Sequence, residues 1–231
     1  MTPTRFAIYF VPDPSEAWAQ FCTAWLGWDI TSSKAVAHPE LNNGVGPVSA
    51  ITAVPRRYGL HATIKPPFRL RAGKSPRALL RTAQDLVADT APLTLSRLEV
   101  SRLGRFLALT VAGETTDLNN MAARMVRGLD DFRAPPSDHE LERRRAANLS
   151  SAQEENLLKW GYPHVMDQFR FHITLTSKLP KDDLAKTEAA LERHLLPNLP
   201  NPFTIRELAL VGEDEEGFFH LLERLPLSRG D

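Results

Sequence analysis

The sequence predicts a mixed fold of helices and strands built from one unit used twice. Short β-rich apolar runs alternate with amphipathic stretches along the chain, and the order strand, helix, strand, strand occurs twice. Each copy opens on a strand that bears a histidine. From His61 the paired strands open 32 residues on at Leu93 and 45 residues on at Phe106; from His172 they open 31 residues on at Phe203 and 46 residues on at Phe218. The letters differ between copies, so the duplication lies in architecture.

In chain order, Arg5 to Val11 (RFAIYFV) reads as a strand ended by Pro12, and Asp13 to Trp28 as a helix with Trp18, Phe21, Cys22 and Trp25 on one face. Residues 30 to 57, rich in Gly, Pro, Asn and Ser, read as a long loop of the kind that often serves function. Tyr58 to Leu70 is extended as far as Pro66-Pro67, which cannot continue inside a sheet. A helix follows over Ser75 to Asp89, with Ser75 as cap and Pro76 in its first turn. Strands at Leu93 to Val100 and Phe106 to Val111 close the first copy, roughly residues 58–113. A helix from Asp117 to Phe132 and a charged helical stretch from Asp138 to Lys159 form a connection over roughly 115–162. The second copy, roughly 169–227, begins with the strand Phe169 to Lys178 and continues with a helix at 181–196 and strands at 203–211 and 218–224. No linker divides the 231 residues, which predicts one bilobal domain.

Composition narrows the function. The charge is balanced, with 28 Lys+Arg against 28 Asp+Glu, which argues against a coat of long nucleic acid. One cysteine, Cys22, excludes an internal disulfide framework and any multi-cysteine zinc site. No apolar run is long enough to span a bilayer and the N-terminus lacks a secretory pattern, so a cytoplasmic protein is expected.

The chemistry sits at the head of each copy, in His61-Ala62-Thr63-Ile64 and His172-Ile173-Thr174-Leu175. In a strand, residues i and i+2 face the same way. His61, Thr63 and Lys65 therefore share a polar face over Leu60, Ala62 and Ile64; Arg170, His172, Thr174 and Thr176 share one over Phe171, Ile173 and Leu175. With 7 histidines and 16 threonines, roughly half an instance of His-x-Thr arises by chance, and far fewer with apolar residues at the second and fourth places. Two imidazoles can serve as general base and general acid near neutrality, and threonine hydroxyls donate to anionic oxygens without adding charge. That set fits in-line attack on a phosphodiester. Between Ile51 and Gln84 stand eight basic residues and no acidic one, which suits a phosphate ligand. Of these, Lys65 is the candidate on the histidine face, and Arg170 is its counterpart in the second copy.

Other features read as structural. His38, His139, His164, His194 and His220 lack metal-ligand spacing, and Arg143-Arg144-Arg145 after Glu140 and Glu142 reads as a solvated helix face. Trp160 and Tyr162 read as packing, with the option that an aromatic lines the cleft. No HExxH, CxxC, P-loop, GxGxxG or GxSxG arrangement is present.

The paired motifs His61/Thr63 and His172/Thr174 resemble the signature of the two-histidine (2H) phosphoesterase superfamily. Within it, RFAIYFVP, RYGLHATIKPPFRL and LERRRAANLSSAQEENLLKWGYPHVMDQFRFHITLT resemble a bacterial family labelled as phosphonate metabolism proteins, often encoded beside carbon–phosphorus lyase genes. The resemblance implies a bilobal α+β fold, with two antiparallel sheets facing a cleft and helices outside. It implies a cyclic phosphodiesterase with His61 and His172 as acid and base, Thr63 and Thr174 as phosphate ligands, and neither metal nor cofactor. The expected partner is a small cyclic phosphate of a pentose or nucleotide. The alternatives are an RNA 2′,3′-cyclic-end or 2′–5′ phosphodiesterase and a protein that binds a phosphorylated ligand without turnover.

Overall fold

The computed structural model describes residues 2–41 and 46–228. The chain opens with strand β1 (Arg5–Phe10) and helix α1 (Ala17–Leu26), whose Trp18, Cys22, Trp25 and Leu26 recur at helical spacing and are all buried. The stretch expected as a long loop carries structure of its own. It holds a small hairpin of β2 (Trp28–Asp29) with β3 (Lys34–Ala35), a single turn α2 (Val48–Ile51), and a 3-10 turn over Pro55–Tyr58. Residues 42–45 of that stretch lie outside the described residues.

The first copy follows as β4 (Ala62–Phe68), α3 (Pro76–Ala88), β5 (Leu93–Leu95), β6 (Arg97–Leu103) and β7 (Phe106–Ala112). Ser75 caps α3 as expected, its hydroxyl accepting from the Ala78 N–H at 3.2 Å. The connection contains α4 (Thr116–Gly128), α5 (Asp138–Arg145) and α6 (Ser151–Trp160). The charged helix expected over 138–159 is therefore two helices. Each starts with its own capping box, Ser137 with Glu140 and Ser150 with Gln153, and Asn148 between them adopts φ 53°. The second copy is β8 (His172–Thr174), α7 (Lys181–Leu195), β9 (Phe203–Ile205), β10 (Glu207–Glu213) and β11 (Phe219–Pro226).

Seven strands form one sheet in the order β11-β10-β1-β4-β8-β7-β6, every neighbouring pair antiparallel. The fold is α+β, and the two antiparallel sheets expected are the halves of this one, joined at its middle by the single pair Ala62 with Ile173. The hairpin of each copy is laid against the opening strand of the other. β6–β7 continues from β8, and β10–β11 reaches β4 through β1. The short strands β5 and β9 pair with each other, Thr94 opposite Thr204. Ala62 and Ile173 follow the two histidines, and Thr94 and Thr204 hold matching places in the two copies. Both pairs therefore mark a local twofold axis.

β1 is buried on both faces. Phe6, Ile8 and Phe10 join the main core with the apolar sides of α1, α3, α4 and α7, while Ala7, Tyr9 and Val11 join a smaller cluster with Ile30, Val211 and Phe219. Tyr9 lies opposite Thr63, but Ile8 lies opposite Lys65, so β4 spends two residues where β1 spends one. This bulge breaks the strand parity from which Lys65 was placed beside His61. Lys65 instead faces the core with Ile8, 1% exposed, and its ammonium donates to the Val126 carbonyl in the last turn of α4 at 3.0 Å, with Asp130 at 3.9 Å. Burial lowers its pKa to about 8. Lys65 is a helix-end anchor and not a cleft residue. Lys65→Met is expected to cost about 1–3 kcal/mol by orphaning that carbonyl. Thermal melts check it; unchanged stability would mean that the ammonium does not hold the helix end.

Candidate functional site

The two motifs meet where the halves of the sheet join. Continuing the antiparallel register outward from Ala62 and Ile173 sets His61 opposite Thr174 and Thr63 opposite His172. The four side chains thus form a square of alternating imidazole and hydroxyl on one face, and all four line a cavity of about 460 Å³. Opposed side chains in such a ladder start roughly 5 Å apart at Cβ, close enough for one phosphate to reach all four.

Each imidazole is held the same way. His61 Nδ1 lies 2.9 Å from the Gly59 carbonyl, and His172 Nδ1 lies 2.8 Å from the Arg170 carbonyl. A carbonyl only accepts, so Nδ1 carries the hydrogen in both rings and Nε2 is left as the proton acceptor of each neutral ring. His61 Nε2 sits 3.2 Å from Thr63 Oγ1, whose hydroxyl can donate to it. Gly59 supports this arrangement from a left-handed φ of +67°, where a Cβ would stand 2.6 Å from the Ile30 Cβ.

The surroundings separate the two rings. Tyr9 from β1 stacks on His61 with centroids 4.0 Å apart, and Tyr58 stacks from 5.9 Å. Burial lowers the pKa of His61 to about 4; the Gly59 carbonyl opposes this and the charge of His172 adds to it. His172 has instead Phe106, tilted at 6.1 Å.

Of the residues expected at the site, His61, Thr63, His172 and Thr174 come together. Arg170 does not join them; its exposed side chain lines an adjoining hollow of about 700 Å³ that shares Thr63, His172 and Tyr162 with the first. Thr176, read as a fourth polar residue of its strand, is buried, and its hydroxyl accepts from the Leu107 N–H at 3.0 Å, ending the ladder. Residues that the sequence does not mark for the site also reach the cavity: Tyr9 and Tyr58, and from the connection Arg143 and Arg144; Tyr162, with its option of lining the cleft, reaches it too. Arg144 lies over the Tyr162 ring at 4.4 Å. Three consecutive arginines after two glutamates carry the pattern of a solvated face, and no local signal marks two of them as lining the cavity, Arg144 half-buried and Arg143 exposed.

Residues 63–220 match the model of a family described as "Protein of unknown function (DUF1045)". A curated protein named ribose 1,5-bisphosphate phosphokinase PhnN from Janthinobacterium sp. (strain Marseille) is 36% identical over 97% of this chain and 51% of its own. Another of that name, from Laribacter hongkongensis (strain HLHK9), is 32% identical over 96% of this chain and 51% of its own. The chain spans about half the length of the curated relatives it matches. Among solved structures, E. coli LigT complexed with 3′-AMP is 13% identical with a TM-score of 0.47, covering 98% of this chain and 99% of that one. TT0787 of Thermus thermophilus is 16% identical with a TM-score of 0.46, covering 98% and 99%. At these identities and scores, neither structure bears on the chemistry.

Two outcomes follow from the environment of His61. The ring stays neutral in the folded protein down to about pH 4, whereas in the unfolded chain it takes a proton below about pH 6.5. Stability contributed by the neutral ring is therefore lost as pH falls from about 6.5 to 4. His61→Gln is expected to show a smaller drop in melting temperature between pH 7 and 5 than wild type; equal drops would mean the ring is not sealed. Gly59→Ala is expected to cost about 1–3 kcal/mol through its φ and its clash with Ile30, measured by denaturant unfolding.

Proposed function

The chain belongs to the DUF1045 family of proteins of unknown function, and we propose that it is a metal-independent phosphodiesterase that opens a small cyclic phosphate of a pentose or nucleotide. The observation that carries this reading is the square of two imidazoles and two hydroxyls, with both histidines locked in the same tautomer.

His61, neutral at physiological pH, is the general base. Its Nε2 takes a proton from water as the water oxygen bonds to phosphorus. Thr63 and Thr174 donate hydrogen bonds to the non-bridging oxygens as charge builds in the five-coordinate state. The bond from phosphorus to the ring oxygen breaks on the opposite side, and protonated His172 delivers its Nε2 proton to that oxygen. The product is a phosphate monoester beside a free hydroxyl, and the imidazoles reset by proton exchange with solvent. Each transfer is worth roughly 10² to 10⁴ in rate. Water activation and charge stabilisation, the two services a metal would render, both come from side chains.

The pentose is supported by the relatives' name. Their printed activity phosphorylates ribose 1,5-bisphosphate, and the half of them that this chain matches has no P-loop counterpart here. Opening a 1,2-cyclic phosphate of 5-phosphoribose by breaking the bond from phosphorus to the 2-oxygen would yield that bisphosphate.

The test is a panel with EDTA present: 5-phosphoribosyl 1,2-cyclic phosphate, the four 2′,3′-cyclic nucleotides and a short RNA ending in a 2′,3′-cyclic phosphate. Turnover is expected to survive EDTA and to fall by roughly 10² or more in both His61→Ala and His172→Ala. Turnover of the RNA alone would replace the small-substrate reading, and binding without product would make the protein a ligand sensor. If His61 is the base, kcat/KM is expected to stay flat as pH falls from 6.5 to about 5, because that ring gains its proton only near 4; an acidic limb near 6.5 would assign the base elsewhere.

A further inference from the structure

Beyond the square of histidines and threonines, the cavity has a second set of anion donors that the reaction leaves unused. Arg144 is half-buried, and among the described residues neither it nor Arg143 forms an ion pair. The neighbouring Arg145 pairs with Glu154. Glu140, one turn before Arg144 on α5, is taken by Arg69 at 2.7 Å and by the Ser137 cap. A guanidinium moved part-way out of water with no counter-charge is costly unless a ligand supplies one.

A second observation points the same way. The Tyr9 hydroxyl is the one fully buried side-chain polar atom with no hydrogen-bond partner among the described residues, and Tyr9 lines this cavity. An orphaned hydroxyl here is a donor awaiting an acceptor. Tyr9, Arg143 and Arg144 line this one cavity, and Arg144 over the Tyr162 ring marks its arginine-bearing end.

We propose that this end is a subsite for a phosphate monoester carried by the same sugar as the cyclic diester. Arg143 and Arg144 supply the charged donors, Tyr9 the neutral one, and Tyr162 the face that holds Arg144 in place. The charge count agrees: a cyclic diester brings one negative charge, whereas a phosphomonoester adds about −1.5 to −2, which suits two unpaired arginines beyond the histidines. The inference rests on the diesterase reading and narrows its substrate to a doubly phosphorylated one.

The experiment compares ribose 1,2-cyclic phosphate with its 5-phosphorylated form, and adenosine 2′,3′-cyclic phosphate with its 5′-phosphorylated form. Calorimetric binding of ribose 5-phosphate runs beside them. In wild type, kcat/KM is expected to favour the phosphorylated member of at least one pair by about 10²-fold, with the difference mostly in KM, as two charge-assisted contacts provide. Arg144→Gln is expected to shrink that preference by about tenfold and to weaken ribose 5-phosphate binding, and Tyr9→Phe, which keeps the ring against His61, to shrink it by a smaller factor. Equal rates within both pairs would overturn the subsite and leave the diesterase intact. If no cyclic phosphate turns over, the diesterase reading fails. Ribose 5-phosphate binding that is lost in Arg144→Gln would then still support the subsite, and absence of that binding in wild type would overturn it too.

Discussion

Two hydrogen bonds from ring to backbone, His61 to the Gly59 carbonyl and His172 to the Arg170 carbonyl, determine what this cleft can do. An imidazole free to turn would offer either nitrogen. Here the carbonyl two residues back fixes the ring and reserves Nε2 for the cavity. The same device in both copies extends the duplication beyond strands and helices to proton placement. It also explains the demand on the backbone before the first motif, at Gly59.

The pseudo-symmetry is broken by one strand, and that breach distinguishes the two histidines. On one side β7 lies directly against β8 and offers Phe106 to His172. On the other, β1 is interposed between β4 and β10, and its Tyr9 covers His61. The inserted strand packs Tyr9 on the half-buried His61, whose pKa is lowered, and so gives the proposed division into base and acid a physical origin.

Much of this was legible in the sequence because it depends on local periodicity. The histidine and threonine share a face since a strand alternates, and Ala62, Ile64, Ile173 and Leu175 are buried for the same reason. Lys65 was misplaced by that same rule, since a bulge is set by the partner strand and leaves no mark in the letters around it. The separate start of α6 was written in Ser150 and Gln153, but a charge pattern running through the gap masked it. Arg143 and Arg144 were beyond reach. Whether an arginine is paired depends on who else claims the nearby carboxylates, and Arg69, which claims Glu140, stands 71 residues away.

The narrowness of the sheet at its middle has a mechanical meaning. Ladders of three or more residue pairs gather its strands into two groups; within this sheet the groups are stitched by the pair of Ala62 and Ile173, and the segments leading into β6 and β10 join them again through the three pairs of β5 and β9. Beyond that stitch β4 runs into Pro66 and Pro67, which have no N–H to offer, and β8 stops after three residues. The ladder ends where the cavity begins, and at that place the halves of the sheet hold each other by one backbone pair. On the proposed reading, a phosphate held by hydroxyls from both strands would supply the missing rungs, and the tighter that grip, the more the ligand would serve as part of the sheet.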